Sequence, residues 1–342
     1  MKKLISSLTV VLTLLLMLDV AYAGGGNRTG TGGAAELLIP VGPRGIAMGE
    51  STVSTAYGLE SLFWNPAGVA RMDNSSQVIF SHMSYIADIG VEYGAVAANF
   101  EGFGALALSI KALAIGDIPI TTTQNPDGTG ATFSPQMIVA GLSYSRELTD
   151  RISVGLTGNF ISETLGDVSA SGVAFDVGVI YNDLADLNGL SFGVVLKNIG
   201  PNMTYSGTSL LVQGSVGELN RPPQYYTIDA APFELPSNFQ LAAGYQPVID
   251  EMNSLQFSGI YQNNNFSGDE VKLGGEYGYN DMFFVRAGYQ FATQEADNYI
   301  YGFTAGAGVN YNIEGFGIQF DYAFRDTEFF DGSHIFALTL GF

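Results

Sequence analysis

The sequence predicts an all-β chain, a transmembrane antiparallel β-barrel of about fourteen strands with an N-terminal plug segment. Three observations carry this prediction. From Ser76 onward the hydrophobic period is two, the period of a strand with two different faces. Charged residues make up 13% of the 342 residues, about half of the ~25% usual in soluble domains. Short turns also alternate with longer connections, as in a barrel whose inner turns are tight and whose outer loops are long.

In chain order, residues 1–23 read as a signal peptide. Lys2 and Lys3 form its basic start, Leu4 to Leu18 its apolar stretch, and Ala21-Tyr22-Ala23 its cleavage site, so the mature chain is expected to begin at Gly24. Residues 24–34 are Gly-rich and read as a flexible leader. Residues 35–75 lack a strand period and are the expected plug, and residues 76–342 are the expected barrel. No later run reaches the ~18 apolar residues of a membrane-spanning helix. An exported chain of this kind is either periplasmic or an outer-membrane barrel.

The alternation is plain in the segment 299–312. Tyr299, Tyr301, Phe303, Ala305, Ala307, Val309 and Tyr311 share one face, while the other carries small and polar residues. Aromatic residues at the ends of an apolar face are the girdles of a membrane barrel. The expected strands are 76–85, 90–100, 103–114, 136–146, 151–164, 171–181, 190–199, 237–246, 253–262, 270–279, 282–291, 299–312, 316–325 and 333–342. On the last of these, Phe336, Leu338, Leu340 and Phe342 share one face and match the signal by which the barrel assembly machinery recognises its clients. Parity places Glu92, Lys111, Asp176, Lys197, Lys272, Glu276, Arg286 and Asp321 on the inner face. Lys or Arg on the lipid face near the midplane would cost about 2–4 kcal/mol. Equal numbers of acids and bases suggest cross-strand bracing; a selectivity lining is the other reading.

Composition excludes several functions. Thirteen basic residues against 33 acidic ones give a net charge of −20, so no basic face exists to neutralise nucleic-acid phosphates. The absence of Cys removes disulfide and thiolate-metal sites. The two histidines, His82 and His334, are assigned to the outward girdle and make neither a catalytic nor a metal constellation. The chain is read as a non-enzyme without metal or cofactor.

A barrel of about fourteen strands is wide enough to leak, and residues 35–75 are the expected closure. They hold Gly42, Arg44, Met48 and Gly49 in G-x-R-x-x-x-M-G, then Trp64, Asn65, Pro66, Ala67 and Gly68 in W-N-P-A-G. This pair of motifs resembles the N-terminal signature of the FadL-like outer-membrane barrels, and more closely that of the PorV/PorQ family. Phe175 to Tyr181, Leu196 to Pro201 and Leu235 to Phe239 are similar to later segments of that family. Two departures stand out. Glu50 replaces the usual second glycine after Met-Gly, and Gly58-Leu59-Glu60 replaces the usual acidic pair before W-N-P-A-G.

The resemblance implies a cargo-handling or accessory role in type IX protein secretion, with a secretion translocon and exported cargo as partners. The alternative it implies is FadL-like admission of long-chain fatty acids or other hydrophobic molecules. The expected outer loops are strongly acidic, from Asp88 to Asp331, and include Asp269 and Glu270. The longest of them, 200–236, carries Tyr225, Tyr226 and Phe233, a surface suited to protein contact.

Overall fold

The computed structural model describes residues 30–214, 223–294, 299–313 and 315–342. The expected cleavage site after Ala23, and Glu218, Glu295 and Asp297 of the expected acidic loops, lie outside the described residues. Fourteen wall strands follow one another: β1 (Ser76–Ser84), β2 (Gly90–Phe100), β3 (Gly104–Ala114), β4 (Gln136–Glu147), β5 (Ile152–Leu165), β6 (Val168–Asn182) and β7 (Leu190–Ile199), then β8 (Asn238–Tyr245), β9 (Asn253–Asn264), β10 (Glu270–Tyr279), β11 (Phe283–Ala292), β12 (Tyr301–Ile313), β13 (Phe316–Thr327) and β14 (Ser333–Gly341). Every strand pairs antiparallel with the next, and β1 pairs with β14 from Gln77↔Gly341 to Ser84↔His334. The sheet is therefore closed and has no free edge. Boundaries differ from the sequence reading by at most three residues. No helix among the described residues is long and apolar enough to cross a membrane.

Alternation sets the two faces. Phe80, Leu108, Leu142, Phe257, Val285 and Phe320 point outward and are exposed, whereas Ser143, Thr157, Gln240, Ser258 and Thr304 are buried inside. Outward aromatic side chains pair across strands, as where Phe336 meets Tyr322 with ring centroids 5.1 Å apart. Loop asymmetry is smaller than the sequence implied. Two outer connections, 115–135 and 200–237, are long. The one between β5 and β6 is a turn of residues 166–167, because the ladder continues to Leu165↔Val168.

A bulge interrupts the β6–β7 ladder. Phe175 opposes Ile199 and Val177 opposes Leu196, so Lys197 and Asn198 together face Asp176. Asn198 takes φ +59 and donates its backbone N–H to the Asp176 carboxylate at 2.7 Å. The extra residue buries both Lys197 and Asn198 inside the barrel.

Before β1 the chain makes only short helical turns: Ala35–Leu38, Pro43–Ala47, Thr52–Ser54, Gly58–Glu60, Ser61–Trp64 and Pro66–Arg71. Ile46, Met48, Val53, Leu59, Ala67 and Val69 of this segment are fully buried. It lies inside the barrel wall.

Closure dictates one outcome. Lipid supplies no hydrogen-bond partners, so both ladders of β14 must form. Deletion of residues 333–342 is expected to abolish the heat-modifiable form seen when boiled and unboiled samples are compared on gels. Normal heat-modifiable protein after the deletion would show that the wall closes without β14.

Candidate functional site: a segment braced across the barrel

The inserted segment grips the wall at four sectors. Pro66–Arg71 packs on β4, β5 and β6, while Pro43–Ala47 packs on β11, β12 and β13, on the opposite side of the ring. Thr52–Ser54 touches β7, β8 and β9, and Gly58–Glu60 touches β1 and β2. A chain of short turns achieves this because Gly and Pro break it at each change of direction.

The residues of the two motifs do this work together. Gly42, at φ +86, starts the turn that presents Arg44. Trp64 packs edge-on against Phe63 and lies directly over Gly45, where any side chain would overlap its indole. Gly49, at φ +63, lies so close to the wall that an added methyl would sit 2.6 Å from the Leu273 carbonyl oxygen. Its backbone N–H donates to the Thr304 hydroxyl at 3.0 Å, and that hydroxyl donates to the Ala47 carbonyl at 2.9 Å. Asn65 caps the Pro66–Arg71 turn by accepting from the Ala67 N–H at 3.1 Å. Its amide also donates to Val53 O at 2.9 Å and Val179 O at 3.2 Å, which fixes the turn both to the segment and to β6. Met48 and Ala67 are fully buried, and Pro66 and Gly68 are buried beside them.

Charge fixes the segment's position more strongly. Arg44 donates through Nε and Nη2 to the Glu276 carboxylate, both at 2.9 Å, and its backbone N–H donates to Glu60 at 3.2 Å. Arg286 donates to both Glu276 and Asp321. Removing one member of such a buried pair costs about 3–5 kcal/mol, because the other charge is stranded. A second cluster centres on Glu50, which accepts from Lys272 at 2.8 Å and Arg325 at 3.0 Å. Burial pushes the Glu50 carboxyl up, but Lys272 and Arg325 outweigh it and hold it below the ordinary range. Glu270 pairs with Lys272 at 2.9 Å. Lys197 donates to Phe63 O at 2.7 Å, and its ammonium lies 3.6 Å from the centre of the Phe63 ring. Lys111 donates to Ile39 O at 2.9 Å. Asp176 accepts from Asn159 at 2.9 Å as well as from Asn198.

Seven of the eight charges expected inside are therefore inside. Glu92 is not. In the β2–β3 register Lys111 opposes Tyr93, and Glu92 opposes Ala112, so Glu92 points outward. There it meets His82, whose Nδ1 is 2.6 Å from its carboxylate. Phe336, Leu338 and Phe342 are exposed on the outer face, as expected of their shared parity. Of Asp269 and Glu270, expected as solvated loop acids, Glu270 is turned inward to Lys272, and Asp269 is fully buried, where it accepts from Tyr261 and Asn263.

Sequence reasoning missed Glu50, Arg325, Glu36 and Glu163. Arg325 shares parity with Asp321, and that signal was available. Glu50 occupies φ +61, which explains why a glycine is the alternative there. Glu36 is 1% exposed, beside Leu37 of the apolar cluster that also holds Val139, Ile161 and Met203, and the Glu163 carboxylate is its near neighbour. Tyr205 of the longest outer loop donates to Glu163 beside it. Burial, and then the Glu163 carboxylate, push Glu36 up to about 7. Burial, and then Asp321, push Glu60 up to about 7 against the pull of Arg44. Among the described residues no group of three or more His, Cys, Asp or Glu could hold a metal ion.

The fold is thus a closed fourteen-stranded barrel of the outer-membrane class, filled by the chain ahead of its first strand. Solved structures agree on this fold. The Pseudomonas putida toluene transporter TodX is similar over 88% of this chain and 98% of its own, with a TM-score of 0.56 at 13% identity. The Ralstonia pickettii toluene transporter TbuX is similar over 88% and 98%, with a TM-score of 0.54 at 14% identity. The CymD monoaromatic hydrocarbon channel is similar over 89% and 97%, with a TM-score of 0.51 at 14% identity. No curated protein matches by sequence. Family profiles are more specific. That of the type IX secretion system protein PorV matches residues 23–211, and that of the type IX secretion system membrane protein PorP/SprF matches residues 119–342. Each spans more than half of the chain, which therefore belongs to these type IX secretion families of the outer membrane.

The raised carboxyl of Glu36 gives a pH dependence with a definite sign. A carboxyl that moves from 4.5 unfolded to about 7 folded contributes stability below 4.5 that is lost as pH rises through 7. The detergent-solubilised protein should melt progressively lower from about pH 5 to about pH 8, and Glu36→Gln should flatten that slope. Parallel profiles for the two proteins would show that Glu36 is not held protonated.

Proposed function

We propose that residues 35–75 act as a plug and that the protein is a cargo-handling or accessory component of type IX secretion. The observation that carries the first part is the packing of one segment on four sectors of wall, with Arg44, Glu50 and Asn65 bonded to β10, β13 and β6. Such anchoring suits a closed resting state. The outer surface supports the second part, together with family membership. Asp88, Asp117, Asp127, Asp167, Asp229 and Asp331 are exposed there, and the loop 200–237 presents Tyr225 and Tyr226 on the hairpin Leu211–Gly214 and Gln224–Thr227. An acidic surface with exposed aromatic rings favours a protein partner and repels free carboxylates.

Admission of hydrophobic molecules is the competing reading. The cavity between the segment and the outer half of the wall, 260 Å³ in volume, has two unlike sides: Leu37, Leu38, Ile39, Phe63 and Trp64 of the segment face Gln240, Gln262, Asn264, Glu270 and Lys272 of the wall. A purely hydrocarbon occupant would leave the polar side without hydration, so the cavity suits an amphipathic molecule better than a hydrocarbon.

Two experiments test the proposal. Deletion of residues 35–70 is expected to leave an assembled barrel with open-channel conductance in planar bilayers, and conductance no higher than that of the intact protein would refute a plug. Removal of the 211–227 hairpin is expected to reduce release of exported cargo in a type IX-competent host by about tenfold, with the barrel present at its normal level. Undiminished release at that level would refute a cargo role for the loop.

A further inference from the structure

We propose that the periplasmic mouth of the barrel holds a saccharide site, in the pocket formed by Ser54, Thr55, Tyr57, Ser191 and Gln256. The pocket lies among the short turns 183–189 and 246–252, which mark the inner end of the barrel. Its volume is 480 Å³, within the ~300–1,000 Å³ of small-molecule sites.

The first argument is unpaired hydrogen-bonding capacity. Ser54 Oγ, Thr55 Oγ1, Ser191 Oγ and Gln256 Nε2 are all buried without a partner, and all four residues line this one pocket. Ser54 is 2% exposed, Gln256 6% and Ser191 7%. Buried polar atoms are nearly always paired, so four orphans around one cavity point to something that pairs them. Two of the hydroxyls converge. A methyl added to Gly244 would lie 2.7 Å from Ser191 Oγ and 2.9 Å from Ser54 Oγ. A hydroxyl on a short side chain reorients by rotation alone, and it both donates and accepts.

The second argument concerns which chemistry fits. An anion is poorly served: the one cation at the pocket, Arg71, is directed to Glu147 at 3.5 Å, and Asp73 and Asp183 stand nearby. A hydrocarbon is poorly served too, because Ala56, Ile180 and Leu190 are the only aliphatic side chains of the lining. What remains is a neutral molecule rich in groups that donate and accept. Ser, Thr, Asn and Gln side chains match alternating hydroxyls, and carboxylates accept from them. Asn182 and Gln246 extend the neutral set, and Asp183 already accepts from the Gly189 N–H through one oxygen. Tyr57 supplies a platform. Arg44 lies over its ring at 4.9 Å, yet Tyr57 remains 48% exposed toward the mouth. A ring beside hydroxyl-binding side chains suits the apolar face of a pyranose.

The geometry also links the site to the inserted segment. Ser54, Thr55 and Tyr57 belong to that segment, whereas Ser191 and Gln256 belong to β7 and β9. An occupant would bridge the two.

Calorimetric titration of the full-length protein in detergent tests this, with chitotetraose as an acetamido sugar of the cell-wall type and maltotetraose as a plain glucan. One of them is expected to bind at millimolar concentration or below, and the Thr55→Val/Ser191→Ala double variant to bind it at least about tenfold more weakly. The variant's heat-modifiability should match the intact protein, since losing unpaired hydroxyls does not weaken the fold. No binding of either sugar, or equal binding by a folded variant, overturns the proposal. Binding of laurate or phosphate that these substitutions abolish overturns it as well, by assigning the pocket to another chemistry.

Discussion

A ring of fourteen strands encloses more space than its own inward side chains fill. The rest of this structure depends on that mismatch. Membrane helices bury their polar backbone within themselves, but a barrel of this width must also occupy its centre with something. Here the occupant is the chain's own N-terminal segment, and its polypeptide backbone brings the hydrogen-bonding burden with it. Side chains of the wall meet part of that burden. Lys111, Lys197 and Thr304 donate to the Ile39, Phe63 and Ala47 carbonyls of the segment, and Asn65 of the segment donates in return to the Val179 carbonyl of the wall.

The ion pairs follow from the same constraint. Glu276 and Asp321 on the wall would be isolated carboxylates in a low-dielectric cylinder without Arg44 and Arg286. The interior acids and bases pair in two clusters, one around Glu276 and one around Glu50, and each cluster includes a residue of the segment. Glu50 illustrates how specific this is. A residue in the left-handed region carries a long acidic side chain, and it spans Lys272 on β10 and Arg325 on β13.

The wall was legible because a strand's faces follow from parity alone. Fourteen strands and seven of eight interior charges could be read that way. Glu92 was misread because parity has to be carried across a turn. The 101–103 connection fixes Tyr93, not Glu92, opposite Lys111, and no periodicity within one strand reveals this. The segment was legible only as a motif. Its four contact sectors arise from tertiary packing: Trp64 over Gly45, and Asn65 reaching β6. Glu36 carried no sequence signal, because an acid next to Leu37 and Leu38 gives no hint that Glu163 and Tyr205 will surround it.

The segment's place in the chain also constrains the order of events during assembly. Residues 35–71 come before every strand, yet their contacts include β11, β12, β13 and β14, the last four to be made. Opposite walls grip the two ends of the same short stretch, so its contacts are complete only once β14 has met β1. The wall's ladders need no residue of the segment, whereas the segment's own anchorage needs strands from every part of the ring. Docking of the segment is therefore the last step to be completed, although its residues are the first to be made.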